Sequence, residues 1–366
     1  MIKTLLTILF LAATITAQKT VVFTSGSDGN ASYRIPAIVR SPSGKLLAFG
    51  EGRRDDAGDF GDVNIVLKTS TDNGKTWSAL QDVVDNGHLQ AGNPAPVVDT
   101  LDKRYPNGRI FLFYNTGDAT EHQVRLGKGT REVWYKTSVD DGRTWSEAVN
   151  ITAQVKRTPW RAYANTPGHA IQLTTGKYKG RLFVPINYSA GEPQKDFSDY
   201  MAAAFYSDDH GETFKLSADI GINGSNEATA AELPNGGVLF NARNQRGDQK
   251  YRISARSSDG GATWESAGFD TQLPDPVCQG SLLSIGGNTV AFANNADQRF
   301  RNNLTLRISR DGGKTWSRSF PVDRGVDAKD DPTGYSDIVS IDKRRIGVLY
   351  ENENYRQIAF KIIKWR

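Results

Sequence analysis

Short apolar runs, each closed by a turn containing Gly, Pro, Asn or Asp, recur along almost the whole chain. The segment "YRIPAIVRSPSGKLLAFGEGR" (33–53) sets the grammar: an apolar run, a Pro/Gly turn, then a second run. The same order returns in "NPAPVVDTLDKRYPNGRIFLFYN" (93–115), "PGHAIQLTTGKYKGRLFVPINY" (167–188) and "NEATAAELPNGGVLFNAR" (226–243). It returns again in "CQGSLLSIGGNTVAFAN" (278–294) and "GYSDIVSIDKRRIGVLYE" (334–351). Runs rich in Val, Ile, Leu and Phe between turn residues predict β-hairpins, and no long stretch carries a helical period. The six hairpins begin about 60 residues apart, a spacing that suits one four-stranded propeller blade. The expected fold is therefore all-β: a six-bladed β-propeller with four-stranded antiparallel blades. After Glu351 only 15 residues remain, room for one further strand, "YRQIAFKIIKW". "KTVVFTS" (19–25) would supply the missing outer strand, so that N- and C-terminal strands close the ring and remove a sheet edge.

A second repeat follows each of the first five hairpins: "STDNGKTW" (70–77), "SVDDGRTW" (138–145), "SDDHGETF" (207–214), "SSDGGATW" (257–264) and "SRDGGKTW" (309–316). With the strands of a blade named A to D, the phrase falls about 20 to 30 residues after each A–B turn. That is where C turns into D, on the side of the A–B turn. Its Ser and Asp oxygens suit a tight turn that needs backbone N–H acceptors, and its Gly allows positive φ. The aromatic residue is free to pack under the blade. These five Asp-box turns are read as structural, on the face away from the open hairpin ends.

Composition adds compartment and excludes partners. The chain has 366 residues and a formal charge of +4, with one tight basic cluster, "KRR" at Lys343 to Arg345. No basic stripe for nucleic acid is present. Residues 1–17 read as a secretory signal peptide: Lys3, the apolar "LLTILFLAA", then Ile15-Thr16-Ala17 as the cleavage site. Residues 18–366 are expected to form a single propeller domain, secreted or held in the periplasm or cell envelope, with no integral membrane segment after cleavage. A monomer is expected. The lone Cys278 excludes an intrachain disulfide.

Strand direction places a set of polar residues on one face. Arg34 starts strand A of the first hairpin and Arg53 ends its B. Glu227 and Arg243 hold the corresponding places in the fourth, and Tyr335 and Glu351 in the sixth. Arg301 follows B of the fifth. The four histidines form no HExxH or zinc cluster, and there is no GxSxG elbow or phosphate-binding glycine loop. No metal or organic cofactor is required.

The Asp boxes, "YRIP", the arginine of "FNAR", the arginine of "RNNLT" and the "GYSD" tyrosine together resemble the exo-α-sialidases (neuraminidases). The resemblance covers essentially the whole mature chain. It implies a six-bladed propeller that removes terminal α-linked sialic acids from glycoproteins, glycolipids and oligosaccharides, with no cofactor. By that resemblance Arg34, Arg243 and Arg301 grip the sugar carboxylate, Arg299 being the competitor two residues from Arg301. A guanidinium is always charged and forks onto carboxylate oxygens. The resemblance makes Tyr335 the nucleophile and Glu227 its base; sialidases are the tyrosine exception to the two-carboxylate scheme. A neutral phenol approaches a carbon bearing a carboxylate without the repulsion that an anionic Asp or Glu would meet. The acid/base lies among Asp55, Asp56, Asp59 and Asp62, and counting back from "VNIVLK" puts the family's aspartate at Asp59. Arg53 matches a supporting arginine, and Glu351 the glutamate that orients the first arginine. Asp99 matches an aspartate that meets the N-acyl group, although strand direction puts it on the other side. Trp160 and Tyr163 are further candidates for the pocket wall. Two other readings remain open: a non-catalytic Asp-box propeller that binds glycan or protein, and a transglycosylating sialidase.

Overall fold

The computed structural model describes residues 19–325, 327 and 332–366; the leader expected at 1–17 lies outside them. Among the described residues twenty-five strands dominate, with two short α-helices, Glu121–Arg125 and Thr152–Val155. No described helix is long and apolar enough to cross a membrane.

The first unit shows the building rule. Ser32–Arg40 pairs antiparallel with Leu46–Arg53, that strand with Val63–Ser70, and that one with Gln81–Val84. Leu46–Arg53 is buried at every position; covered on both faces, it reads as a nearly continuous apolar run. Sheets of four strands follow the same order over Ser225–Pro274, over Ser281–Asp323, and over Thr333–Lys364 with Lys19–Thr24 added outside. Another runs from Trp160 to Leu216, its inner edge split into Trp160–Asn165 and Ile171–Gln172.

Hydrogen bonding does not draw six separate sheets as the hairpin count predicts. The strands from Ser32 to Asn150 form one eight-stranded sheet. The join is a single parallel pair, Val63 with Gln90, between the third strand of one unit and the innermost strand of the next. The whole is a β-propeller. Innermost strands pack one on the next: Ser32–Arg40 on Gln90–Asp99, then Ile171–Gln172, Ser225–Leu233, Ser281–Gly286, Thr333–Asp342, and back to Ser32–Arg40.

Each junction has its own apolar cluster. Phe23, Val66, Leu349 and Phe360 fill the one between the last and first units, and Phe49, Leu67, Ile110 and Leu112 the next. Four more clusters continue around the ring. The Asp boxes stitch these junctions. In the first, Ser70 Oγ donates to Asp72 at 2.8 Å, Gly74 N–H donates to Ser70 Oγ at 2.8 Å, and Thr76 Oγ1 donates to Asp72 at 2.7 Å. The other four repeat these bonds. A Cβ on Gly74, Gly142, Gly211, Gly261 or Gly313 would run into Phe360, Leu47, Phe111, Phe183 or Leu239, always a residue of the preceding unit. The box aromatics follow suit: Trp77 meets Phe360 edge-on at 5.5 Å and Trp145 meets Phe49 at 5.9 Å. Trp77 and its counterparts therefore pack between units, rather than simply under their own.

At the opposite end of the strands the backbone breaks its register. One extra residue bulges from the innermost strand between Arg34 and Ala37, Gly92 and Ala95, Trp160 and Tyr163, Ser225 and Ala228, and Thr333 and Ser336. Bulges of this kind re-aim side chains and cluster beside active sites.

Candidate functional site

The bulges deliver Arg34, Glu227 and Tyr335 to one cavity of about 660 Å³ at the mouth of the ring. Arg53, Asp59, Arg243 and Arg301 line it as well. These seven residues, all singled out in the sequence, thus meet in one place.

At the floor, Tyr335 Oη donates a very short hydrogen bond to Glu227. Arg243 Nη1 donates to both, to Glu227 at 2.7 Å and to Tyr335 Oη at 3.1 Å. Burial, and after it the Glu227 carboxylate, push the Tyr335 phenol well above its ordinary range, while Arg243 and Arg301 pull the other way. The resting phenol is therefore neutral, with a proton acceptor already on it. Burial opposes the charge of Arg243, but Glu227, Tyr335 and Cys278 together outweigh it. Arg34 and Arg301 each place Cζ 5.6 Å from the Tyr335 ring centre. Cys278 packs behind with Ile35 and Tyr335, and burial pushes its thiol up to about 11, so it stays protonated beside the arginines.

Glu351 does not line the cavity; it stands behind it, fully buried, as a hub. It accepts from Arg34 Nε at 2.6 Å, Ile35 N–H at 3.0 Å and Tyr335 N–H at 2.8 Å. Ile35 holds φ at +58°, a left-handed conformation unfavourable for a β-branched residue, and its bond to Glu351 helps hold it there. The first unit carries a matching hub that the sequence reading missed. Glu51, also buried, pairs with Arg53 at 2.7 Å and accepts from Asn93 N–H at 2.9 Å, where Asn93 has φ +54°. A glutamate two residues before Arg53 in the mostly apolar strand "LLAFGEGR" was the available signal.

Of the four competing aspartates, Asp59 lines the cavity, between Gly58 and Phe60. It is 85% exposed and tethered to Arg53 Nη1 at 2.8 Å. Asp56 instead caps its own turn through Gly58 N–H, and Asp62 faces His88 at 3.5 Å. Arg301, not Arg299, is among the wall residues. Tyr355 is a second omission. Its ring lies 4.4 Å beneath the Arg34 guanidinium and its hydroxyl meets Arg301 Nη1 at 3.3 Å, joining two cavity arginines.

Asp99 is not brought to the cavity. It ends the strand Gln90–Asp99 opposite Arg109, fully buried, where it bonds His210 Nδ1 at 2.8 Å and Gln172. The residues of that strand that do reach the cavity are Gln90, Gly92 and Asn93, at its other end. Tyr163 contributes to the cavity wall, whereas Trp160 lines a neighbouring cavity and stacks on Tyr188 at 3.7 Å.

The arrangement combines guanidinium groups able to grip a carboxylate with a phenol poised over a base and a carboxyl on a rim position open to solvent. Comparison with known proteins points the same way. A family model described as a BNR repeat-like domain matches residues 44–348. An exo-alpha-sialidase of Aspergillus fumigatus is 32% identical, over 92% of this chain and 83% of its own length. A sialidase of Bacteroides fragilis is 30% identical over 93% of this chain, which spans 63% of that relative, less than two thirds. Among solved structures, a Hadza microbial sialidase superposes with a TM-score of 0.78 at 28% identity, covering 93% of this chain and 67% of the other.

Proposed function

Because the chain belongs to the exo-α-sialidase family of BNR-repeat glycoside hydrolases, we propose that it removes terminal α-linked sialic acids from glycans with retention, through a covalent tyrosyl–sugar intermediate. The observation that carries this reading is the hydrogen-bonded Tyr335–Glu227–Arg243 cluster beneath Arg34 and Arg301.

Arg34, Arg243 and Arg301 hold the substrate carboxylate by charge-assisted bonds. This fixes the anomeric carbon over Tyr335. Glu227 takes the phenolic proton as Tyr335 Oη attacks, so negative charge never builds on both at once. Asp59 gives a proton to the leaving oxygen, then takes one from the water that breaks the tyrosyl bond. Arg53 tethers Asp59 from below. The cavity arginines favour the phenolate character that develops in the transition state, the stage at which stabilisation raises the rate.

The test is release of fluorophore from 4-methylumbelliferyl α-sialoside. Wild type should turn over, with the first-formed free sugar in the α configuration by NMR. Tyr335→Phe should lose at least about 10²-fold in kcat, the range expected when a nucleophile and its base are uncoupled. No turnover by wild type, or equal turnover by Tyr335→Phe, would overturn the reading.

The propeller itself is proposed to have six blades, the eight-stranded sheet being two blades bridged at Val63 and Gln90, which agrees with the ring of innermost strands and the outer strand Lys19–Thr24. Export after cleavage near Ala17, as a monomer, completes the proposal; N-terminal sequencing of the mature protein and light scattering check it.

A further inference from the structure

Beside the catalytic cavity lies a second one of about 620 Å³. Both fall in the range of small-molecule sites. Arg131 lines both. It opens the strand Arg131–Ser138 opposite Gly117, at the same end as the catalytic bulges.

The charges of this second cavity do not balance. Arg131 is only 9% exposed, yet it makes no ion pair among the described residues; Nη1 donates to the Thr130 carbonyl at 3.2 Å. Lys156 is half-buried and likewise has no carboxylate partner, its Nζ donating to the Arg131 carbonyl at 2.9 Å. The wall holds one further cation, Arg161, and one carboxylate, Glu132. Arg161 pairs with Glu192 at 2.9 Å; Glu132 accepts from Trp134 Nε1 at 3.2 Å and acts on Lys156 without an ion pair to it. Two adjacent cations, one buried and one half-buried, that lack a direct ion pair are costly, and an anion between them relieves that cost. Burial, the largest influence on each, pulls both groups below their ordinary range.

We propose that this cavity takes a second acidic sugar, its carboxylate set between Arg131 and Lys156. The inference rests on the sialoside reading above. The occupant comes from one of two sources with the same chemistry: the neighbouring sialyl unit of an oligosialyl chain, or a separate sialoside. A chain bearing consecutive acidic sugars would span both cavities across Arg131.

Two measurements separate the sources. The first compares kcat/KM for an α2,8-disialyl lactoside and for 3′-sialyllactose, in wild type, Lys156→Gln and Lys156→Arg. For an oligosialyl occupant, wild type favours the disialyl substrate. Lys156→Gln loses about fivefold of that ratio, the scale of one partly screened ion pair, and Lys156→Arg restores it. The second is calorimetric titration with free sialic acid: for a separate sialoside, wild type binds two equivalents per chain and Lys156→Gln one. A Lys156-dependent effect in either measurement supports the site, and its absence from both overturns it. If no sialoside is cleaved but binding still depends on Lys156, the hydrolase reading has failed and the anionic site stands.

Discussion

Glu351 sits at the point where three separate demands meet: the Arg34 charge, the left-handed Ile35 N–H and the Tyr335 N–H. Glu351→Gln keeps the shape but leaves Arg34 without a countercharge in a largely buried setting. The expected cost is roughly 3 kcal/mol of stability, the range for breaking a buried pair, read as a fall in the denaturant midpoint, together with a raised KM. Tyr355 acts differently, by stacking under Arg34 and bonding Arg301. Tyr355→Phe keeps the stack and should raise KM about twofold, while Tyr355→Ala should raise it roughly tenfold with kcat little changed, given cation–π worth of ~1–2 kcal/mol in a desolvated place. At this scale the sequence was informative wherever strand direction alone decides the face: Arg34, Arg243, Glu227 and Tyr335 all lie at open hairpin ends. It was silent on Tyr355, because three consecutive positive-φ residues, Glu353, Asn354 and Tyr355, turn the ring inward and nothing in "ENENY" announces them. Asp99 shows the reverse: strand direction put it on the far side, and its partners His210 and Gln172 hold it there.

Among the elements, the contrast lies between the two ends of a blade. The box end is regular and repeated; the bulged end is irregular and carries the site. Gly261→Ala probes the first. Its φ is +84°, and an added Cβ would meet the Phe183 ring of the preceding unit. A loss of about 2–4 kcal/mol is expected from backbone and overpacking strain together, read as a lower Tm, with kcat/KM unchanged well below it. A box with a catalytic role would show the opposite split. Periodicity made hairpins and boxes legible. The bulges were not, since one extra residue in a strand leaves the apolar pattern almost intact while reversing which side chains face the mouth.

For the whole molecule, the five box aspartates act together. Asp72 and Asp311 are held well below the ordinary carboxyl range, first by the hydroxyls of Thr76 and Thr315. In Asp140 burial works upward but the Thr144 bonds prevail and lower it to about 2; Asp209 and Asp259 are lowered in the same balance. A carboxyl with its folded-state value below the unfolded ~3.9 stabilises the fold above that pH and loses the contribution as pH falls toward the folded value. Thermal midpoints should therefore hold down to about pH 4 and fall between pH 4 and 2. Thr144→Ala should lessen the slope by raising the folded value of Asp140. A flat profile across that window would contradict the assignment. Six hairpins told the sequence reader how many units to expect. They did not tell that two of the units share hydrogen bonds, because the bridge is a single residue pair between strands of different hairpins, Val63 with Gln90.

The pairing of Lys19–Thr24 with Gln357–Lys364 has a temporal side. The first described strand emerges early in synthesis and has no sheet to join until nearly the last has been made. Until then the junction cluster around Phe23 and Phe360 stays open to water, and Gln357–Lys364, once made, presents a bare edge until Lys19–Thr24 docks. Refolding should thus end in a slow, concentration-sensitive step, since long-range closure is slow and unpaired edges recruit other chains.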